Sequence, residues 1–89
     1  MGEVVVENNE SRHRFEIRMD GHLAKLNYRV NDGEIDLIHT EVAEELGGRG
    51  LGNKLVEAAL AYARDNKLKV VPSCSFVSNY LARHPEWNT

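Results

Sequence analysis

The stretch "RFEIRMDGHLAKLNYRVNDGEIDL", Arg14 to Leu37, decides the fold. It holds two Asp-Gly pairs, Asp20-Gly21 and Asp32-Gly33, each between runs of alternating apolar residues. A two-residue type I′ turn needs positive φ at both central positions, which Asp-Gly and Asn-Gly pairs supply. With Asp20-Gly21 as a loop, Ile17 faces Ala24, Phe15 faces Leu26 and Glu16 faces Lys25, an opposite-charge cross-strand pair. With Asp32-Gly33 as a loop, Val30 faces Ile35, Tyr28 faces Leu37 and Leu26 faces His39. The two turns agree on one apolar face: Phe15, Ile17, Ala24, Leu26, Tyr28, Val30, Ile35 and Leu37. That agreement predicts an antiparallel meander. The last strand, "EIDLIHTEV", also carries Ile38, Thr40 and Val42 on its other phase. A strand apolar on both faces is expected to be central and covered on both sides.

Outward from this stretch, Val4-Val5-Val6 is a β-branched run expected to form a first strand, closed by Asn8-Asn9. On the other side, Leu51 to Asn66 has helical periodicity. Leu51, Leu55, Ala58, Ala59 and Tyr62 lie on one stripe, with Lys54, Glu57, Ala61, Arg64 and Asp65 opposite. Leu68–Val71 reads as a short strand stopped by Pro72. Strand, helix and strand in succession imply a right-handed crossover and a parallel pair. Phe76–Arg83 reads as a short last helix with Phe76, Val77, Tyr80 and Leu81 on one side. The expected architecture is therefore α+β: a mixed sheet of about four antiparallel strands, then a βαβ unit with one long helix and a short C-terminal helix. At 89 residues it is expected to be one domain, 1–89.

Composition narrows the function. With 11 Lys+Arg against 14 Asp+Glu, the net charge of −3 argues against a nucleic-acid binder, which needs a basic surface. The single cysteine, Cys74, allows no internal disulfide. The start "MGEVVVENNESRHRF" has no apolar run of signal-peptide length, and no segment is long enough to cross a bilayer, so the expectation is a cytoplasmic protein without membrane contact. His13, His22 and His84 show no ligand spacing with Cys74, and no metal is expected.

Between the last meander strand and the long helix lies "GGRGLG", Gly47 to Gly52. One reading is a flexible corner. The other is a phosphate seat: a helix start offers unpaired N–H groups and the positive end of the helix dipole, and glycine lets a phosphate approach. Arg49 would add a cation. The run is not a Walker loop, because Gly52 is followed by Asn53-Lys54 rather than Lys-Ser/Thr. It is not the dinucleotide fingerprint either, because Leu55 stands where the third glycine belongs.

The segment "EVAEELGGRGLGNKLVEAALAYARDNKLKVVPSCSFVSNYLARHPEW" resembles the GNAT-type acyl-CoA N-acetyltransferases, and most closely their very short members, from about Ile35 to Trp87. The carriers are "RGLG" at the helix start and "PSCSFVSNYLARHPEW" at the end. The family loop reads Gln/Arg-x-x-Gly-x-Gly/Ala. Gly50 and Gly52 fit its glycines, while Gly47 stands at the leading position. The resemblance implies acetyl-CoA as co-substrate, an amine acceptor, and a CoA pyrophosphate seated on the backbone of Gly48, Arg49, Gly50, Leu51, Gly52 and Asn53. It implies that the pantetheine arm runs along the strand of His39, Thr40, Glu41 and Val42, with Asn79 also touching the coenzyme. The chain has no room for the helices and last strands that build the acceptor pocket in full-length members.

Two side chains are candidates for chemistry. Cys74 is either a small buried hydrophobe or a reactive thiol beyond a strand end, activated by the following helix N-terminus. In the short members of the resembling family, this cysteine is an active-site candidate. His39 is either a histidine satisfied by the backbone or a base for the amine or for Cys74. Tyr80, which the family would use to protonate the leaving thiolate, lies in the apolar stripe of its helix. Glu41, Glu44 and Glu45 are either a solvated segment or an attraction for a cationic amine. Two functions stay open: an acetyltransferase, or a CoA-binding or protein-interaction module without turnover.

Overall fold

A computed structural model of the chain describes residues 4–88. It is a five-stranded sheet in the order β1-β2-β3-β4-β5, with one long and one short helix. The strands are β1 (Glu7–Asn9), β2 (Arg14–Met19), β3 (His22–Asn31), β4 (Glu34–Val42) and β5 (Lys69–Val71). The helices are α1 (Leu51–Asp65) and α2 (Ser75–Arg83). Strands β1 to β4 pair antiparallel and β4–β5 pair parallel, which is the expected meander followed by a βαβ crossover.

Both Asp-Gly turns form as read. Asp20, Gly21, Asp32 and Gly33 all have positive φ, and Ile17–Ala24, Phe15–Leu26, Glu16–Lys25, Val30–Ile35 and Tyr28–Leu37 are strand partners. The register then changes. Tyr28 pairs with Leu37 but Asn27 pairs with His39, so Ile38 is one residue too many. This β-bulge reverses the phase of β4. Leu26 faces Thr40 instead of His39, and Ala24 faces Val42. Beyond the bulge, Thr40 and Val42 therefore lie on the core face, and His39 and Glu41 on the other. The two apolar phases of "EIDLIHTEV" reflect this reversal rather than a strand covered on both sides, and Ile38 is exposed.

The first strand is also displaced. Val4–Val6 form no strand, although Val4 and Val6 pack against the core, and pairing begins at Glu7. Polar side chains fix this edge. Tyr28 Oη donates to Asn8 Oδ1 at 2.6 Å, and Asn9 Oδ1 accepts from the amide of Arg12 at 3.3 Å.

Both helices bury their apolar residues in one cluster with the sheet. Ile17, Leu26, Ile35 and Leu37 meet Leu51, Leu55, Val56 and Ala59 of α1 and Val77 and Tyr80 of α2. Helix α1 buries more than the stripe read from its periodicity: Val56, Leu60 and Ala63 are also covered, because α1 packs against α2 and β5 as well as β2, β3 and β4. Val30 is the one member of the expected sheet face that stays exposed.

Opposite the helices the sheet is polar. Glu16 keeps 2% of its exposure, covered by neighbouring side chains at the sheet surface rather than sunk in the core. Arg14 Nε donates to its Oε2, Arg18 Nη2 to its Oε1 at 3.3 Å, and Asn9 Nδ2 to its Oε2 at 3.2 Å. Burial would raise the Glu16 pKa, but these donors and the two guanidinium charges hold it below the ordinary carboxylate value.

Candidate active site

The site forms where β4 and β5 part. Their last paired residues are Asp36 and Val71. Pro72, which has no N–H, turns the chain away, and Cys74 returns to donate its amide to the carbonyl of Leu37 at 2.9 Å. Leu37 is the residue just before the bulge. Because the bulge brings Thr40 to the core face, its Oγ1 reaches Cys74 Sγ and the two share a hydrogen bond of 3.5 Å.

Cys74 is the N-cap residue of α2. Its side chain makes no cap hydrogen bond of ordinary geometry, yet the amides of Phe76 and Val77 face its sulfur and favour the anion. The half-buried position raises the thiol pKa. The Thr40 hydroxyl and the amides of Val77, Phe76 and Thr40 outweigh that, and the thiol lies below its ordinary value. These donors favour the anion of Cys74 more than a purely apolar surrounding would.

The glycine stretch lies beside it. Glu44–Leu46 form a single 3₁₀ turn, and Gly48 and Gly50 then take φ of +80° and +72°. Gly50 is the N-cap of α1, has no side chain to cap the helix, and no acidic residue stands in the first turn. The first intrahelical bond runs from the Lys54 amide to the Gly50 carbonyl at 3.2 Å, so the amides of Leu51, Gly52 and Asn53 precede the ladder. A helix start without a capping side chain and without a competing carboxylate fits a phosphate.

Gly52 has another reason to be glycine. It is buried within α1, and a Cβ there would come 2.7 Å from Cζ of Phe76, whose ring rests on it. The N-terminal ends of α1 and α2 are therefore adjacent.

The remaining candidates divide. Arg49 is turned to the β2–β3 hairpin: its Nη1 is 3.0 Å from Asp20 Oδ2 and 3.1 Å from Met19 Sδ. His22 Nδ1 lies 3.7 Å from Glu45 Oε1, a second tie between that hairpin and the segment leading into the glycine loop. His39 is not brought to Cys74. It lies on the open face, with Nε2 3.6 Å from Glu41 Oε1, both side chains well exposed. Val42 packs partly into the core. Asn79 is exposed on α2, and its side chain makes no hydrogen bond among the described residues. Tyr80 is a packing residue: buried, stacked on His84 at 4.1 Å between ring centroids, and donating to Glu57 Oε2 at 2.9 Å. Burial, then Glu57, raises its pKa. Among the described residues no group of three or more His, Cys, Asp or Glu is placed to hold a metal, and no helix is long and apolar enough to cross a membrane.

Thr40 beneath the thiol and the ring of Phe76 on Gly52 are the two features that strand alternation alone misses. The signal for the first was the phase change between Leu37 and Thr40.

Residues 14–89 match the model of the GCN5-related N-acetyltransferase domain. The chain belongs to the GCN5-related N-acetyltransferase family. Protein NATD1 of Mus musculus is 33% identical over 87 residues, covering 94% of this chain and 79% of that protein. Protein NATD1 of Homo sapiens is 34% identical over 83 residues, covering 90% and 74%. In the solution structure of a "GCN5-like putative N-acetyltransferase" from Staphylococcus aureus, the backbone matches with a TM-score of 0.76 at 37% identity, over 99% of this chain and 87% of that one. The mixed five-stranded sheet with its two helices is thus a GCN5-related N-acetyltransferase fold.

Proposed function

We propose that this chain transfers an acetyl group from acetyl-CoA to an amine by way of Cys74. The observation that carries the reading is the environment of the Cys74 sulfur: at the cap of α2, 3.5 Å from the Thr40 hydroxyl, with its pKa depressed. Acetyl-CoA supplies an activated thioester. In this reading the amides at the start of α1 hold its pyrophosphate, and the backbone of β4 beyond the bulge lines the pantetheine arm. The Cys74 thiolate attacks the thioester carbonyl. A new S–C bond to Cys74 forms as the bond to the CoA sulfur breaks, and that sulfur leaves as a thiolate and takes a proton from water. An amine nitrogen then attacks the acetyl carbon, the N–C bond forms, and Cys74 departs as the thiolate that the Thr40 hydroxyl and the α2 amides stabilise. The amine gives up its proton to water, and His39, on the open face away from the thiol, takes no part in this reading.

Labelled acetyl-CoA and mass spectrometry test this. Acetyl on Cys74 is expected in the wild-type chain and absent from Cys74→Ala, with release of CoA that an amine accelerates. No acetyl-protein and no CoA release with a panel of amines would overturn the transfer. A second reading, CoA binding without turnover, draws on one observation: His39 stands on the opposite face from the thiol. Binding of CoA with no acetyl transfer is its signature.

A further inference from the structure

Beside β3 and the far half of α1 lies a cavity of about 260 Å³, lined by Glu10, His13, Tyr28, Arg29, Val30 and Tyr62. Tyr62 stands about 16 Å along α1 from Leu51 at the helical rise per residue, so this cavity is separate from the glycine stretch and Cys74. Its walls are aromatic. The Tyr28 and Tyr62 rings lie 6.3 Å apart between centroids, and the His13 ring lies 6.3 Å from Tyr28. His13 has a φ of +53°, which residues other than glycine rarely take. Two bonds hold it there: its amide donates to the Glu10 carbonyl at 3.2 Å, and its carbonyl accepts from the Tyr28 amide at 2.9 Å. The same turn brings Glu10 to the rim, exposed and without an ion pair among the described residues. Its charge reaches the phenol below: burial, then Tyr62, raise the Tyr28 pKa against the Asn8 bond, and Glu10 adds to the rise. Arg29 borders the cavity from β3, but strand alternation sends its side chain to the opposite face, where it lines a separate depression with Asp36 and Val71. What the cavity presents is aromatic surface with one unpaired carboxylate at its rim.

We propose that this cavity binds the methylated ammonium head of an organic cation, with Tyr62, Tyr28 and His13 around the N-methyl groups and Glu10 as the counter-charge. Aromatic rings attract a cation through the negative potential of their faces, and a nearby carboxylate adds to the attraction. Methylation sets the class. An ammonium with N–H groups needs hydrogen-bond acceptors on leaving water, and the Tyr28 hydroxyl is already engaged with Asn8 at 2.6 Å. N-methyl groups need none, and they gain contact with the rings and with exposed Val30. The size agrees, since the cavity falls below the range of about 300–1,000 Å³ usual for larger ligands. The rings are held before any ligand arrives: Tyr28 by burial, Tyr62 against Phe15 at 5.7 Å between centroids, and His13 by its turn. The site is independent of acetyl transfer.

Choline and 3,3-dimethylbutan-1-ol test this, because the two share a shape and differ in charge. In an NMR titration of the full chain, choline is expected to shift the ring signals of Tyr62 and His13 and to leave those of Tyr80, on α2, in place. The neutral alcohol is expected to bind at least about fivefold more weakly, and ethanolamine, with N–H in place of N-methyl, more weakly than choline. Glu10→Gln should weaken choline about threefold. Tyr62→Leu should weaken it about fivefold, and Tyr62→Phe should keep the affinity. The ligand comparison and exposed Glu10 leave the core untouched, so the test stands even where Tyr62→Leu does not fold. Equal affinity for choline and the alcohol, or choline binding unchanged in Glu10→Gln, overturns the cation site. Ethanolamine bound as tightly as choline overturns the preference for methylated heads. Absence of any Tyr62 or His13 shift with choline overturns the whole inference.

Discussion

Replacing Thr40 with Val tests the thiol's environment directly. Valine keeps the shape of threonine and removes the hydroxyl that lies 3.5 Å from Cys74 Sγ. Hydrogen bonds to charged groups contribute about 1.5–3 kcal/mol and neutral ones about 0.5–1.5. A long bond to a large, half-exposed sulfur anion falls below the charged range, at about 1 kcal/mol. That corresponds to about a fivefold change in the ionisation constant of the thiol. The amides of Phe76 and Val77 remain, so the thiol should not return fully to its ordinary value. The assay is the rate of iodoacetamide alkylation as a function of pH, and Cys74 is the chain's one cysteine, so the signal has a single source. Thr40→Val is expected to slow alkylation about fivefold on the acid side of the profile, to move its midpoint to higher pH, and to leave the alkaline plateau nearly unchanged. Because the folded thiol ionises below the unfolded one, its ionic contribution to stability is present above the unfolded pKa and lost as pH falls through the folded one. Thermal stability at neutral pH should therefore change little, which separates a local effect from unfolding. A profile that does not move, or moves to lower pH, would refute the account of Cys74.

Three further outcomes follow from the same geometry. Gly50→Ala places a side chain at φ +72° with nothing within 4 Å to clash, so its cost is the backbone strain alone, about 1–2 kcal/mol by urea unfolding; a variant as stable as the parent would contradict the left-handed cap. Tyr80→Phe removes the 2.9 Å bond to Glu57 and should cost about 1 kcal/mol while leaving acetyl transfer at its parental rate; a large fall in rate would return Tyr80 to the role of proton donor. Glu16, held below its ordinary carboxylate value of 4.5, adds stability that is present above that value and lost as pH falls through its lower folded pKa; Glu16→Gln should flatten the acid limb of the stability profile, and an unchanged limb would count against the Arg14–Glu16–Arg18 arrangement.

The parts of the fold written in short-range chemistry were legible in the chain. Asp20-Gly21 and Asp32-Gly33 specify turns locally, and their registers followed from counting outward. The bulge at Ile38 was not legible in the same way, because no glycine marks it and Ile is a good strand residue. It lies in the choice between two phases that both look apolar, which depends on what covers them. The same limit explains the first strand: Val4–Val6 have the stronger strand propensity, but Asn8 and Asn9 have partners in Tyr28 and Glu16, and these set the edge. For the site, Cys74 was visible from its place after a strand and before a helix. Its partner Thr40 and the ring of Phe76 on Gly52 are contacts across the fold, invisible to spacing within either segment.

The bulge is what sets Thr40 beside Cys74 at an otherwise ordinary crossover. With plain alternation, β4 would present His39 to the core and turn Thr40 outward, leaving the Cys74 sulfur half-buried with only helix amides to favour its anion. One extra residue exchanges the two. It sends the imidazole to the open face beside Glu41 and brings a hydroxyl under the thiol. It also follows the last β4 carbonyl that Cys74 engages, so the strands separate just where the sulfur sits. A β4 relieved of its bulge should therefore lose the depressed thiol pKa even with every side chain of the site retained. Deletion of Ile38 is the change that would make it, and an alkylation profile unaltered by that deletion in a folded chain would show that the register of β4 does not govern the chemistry of Cys74.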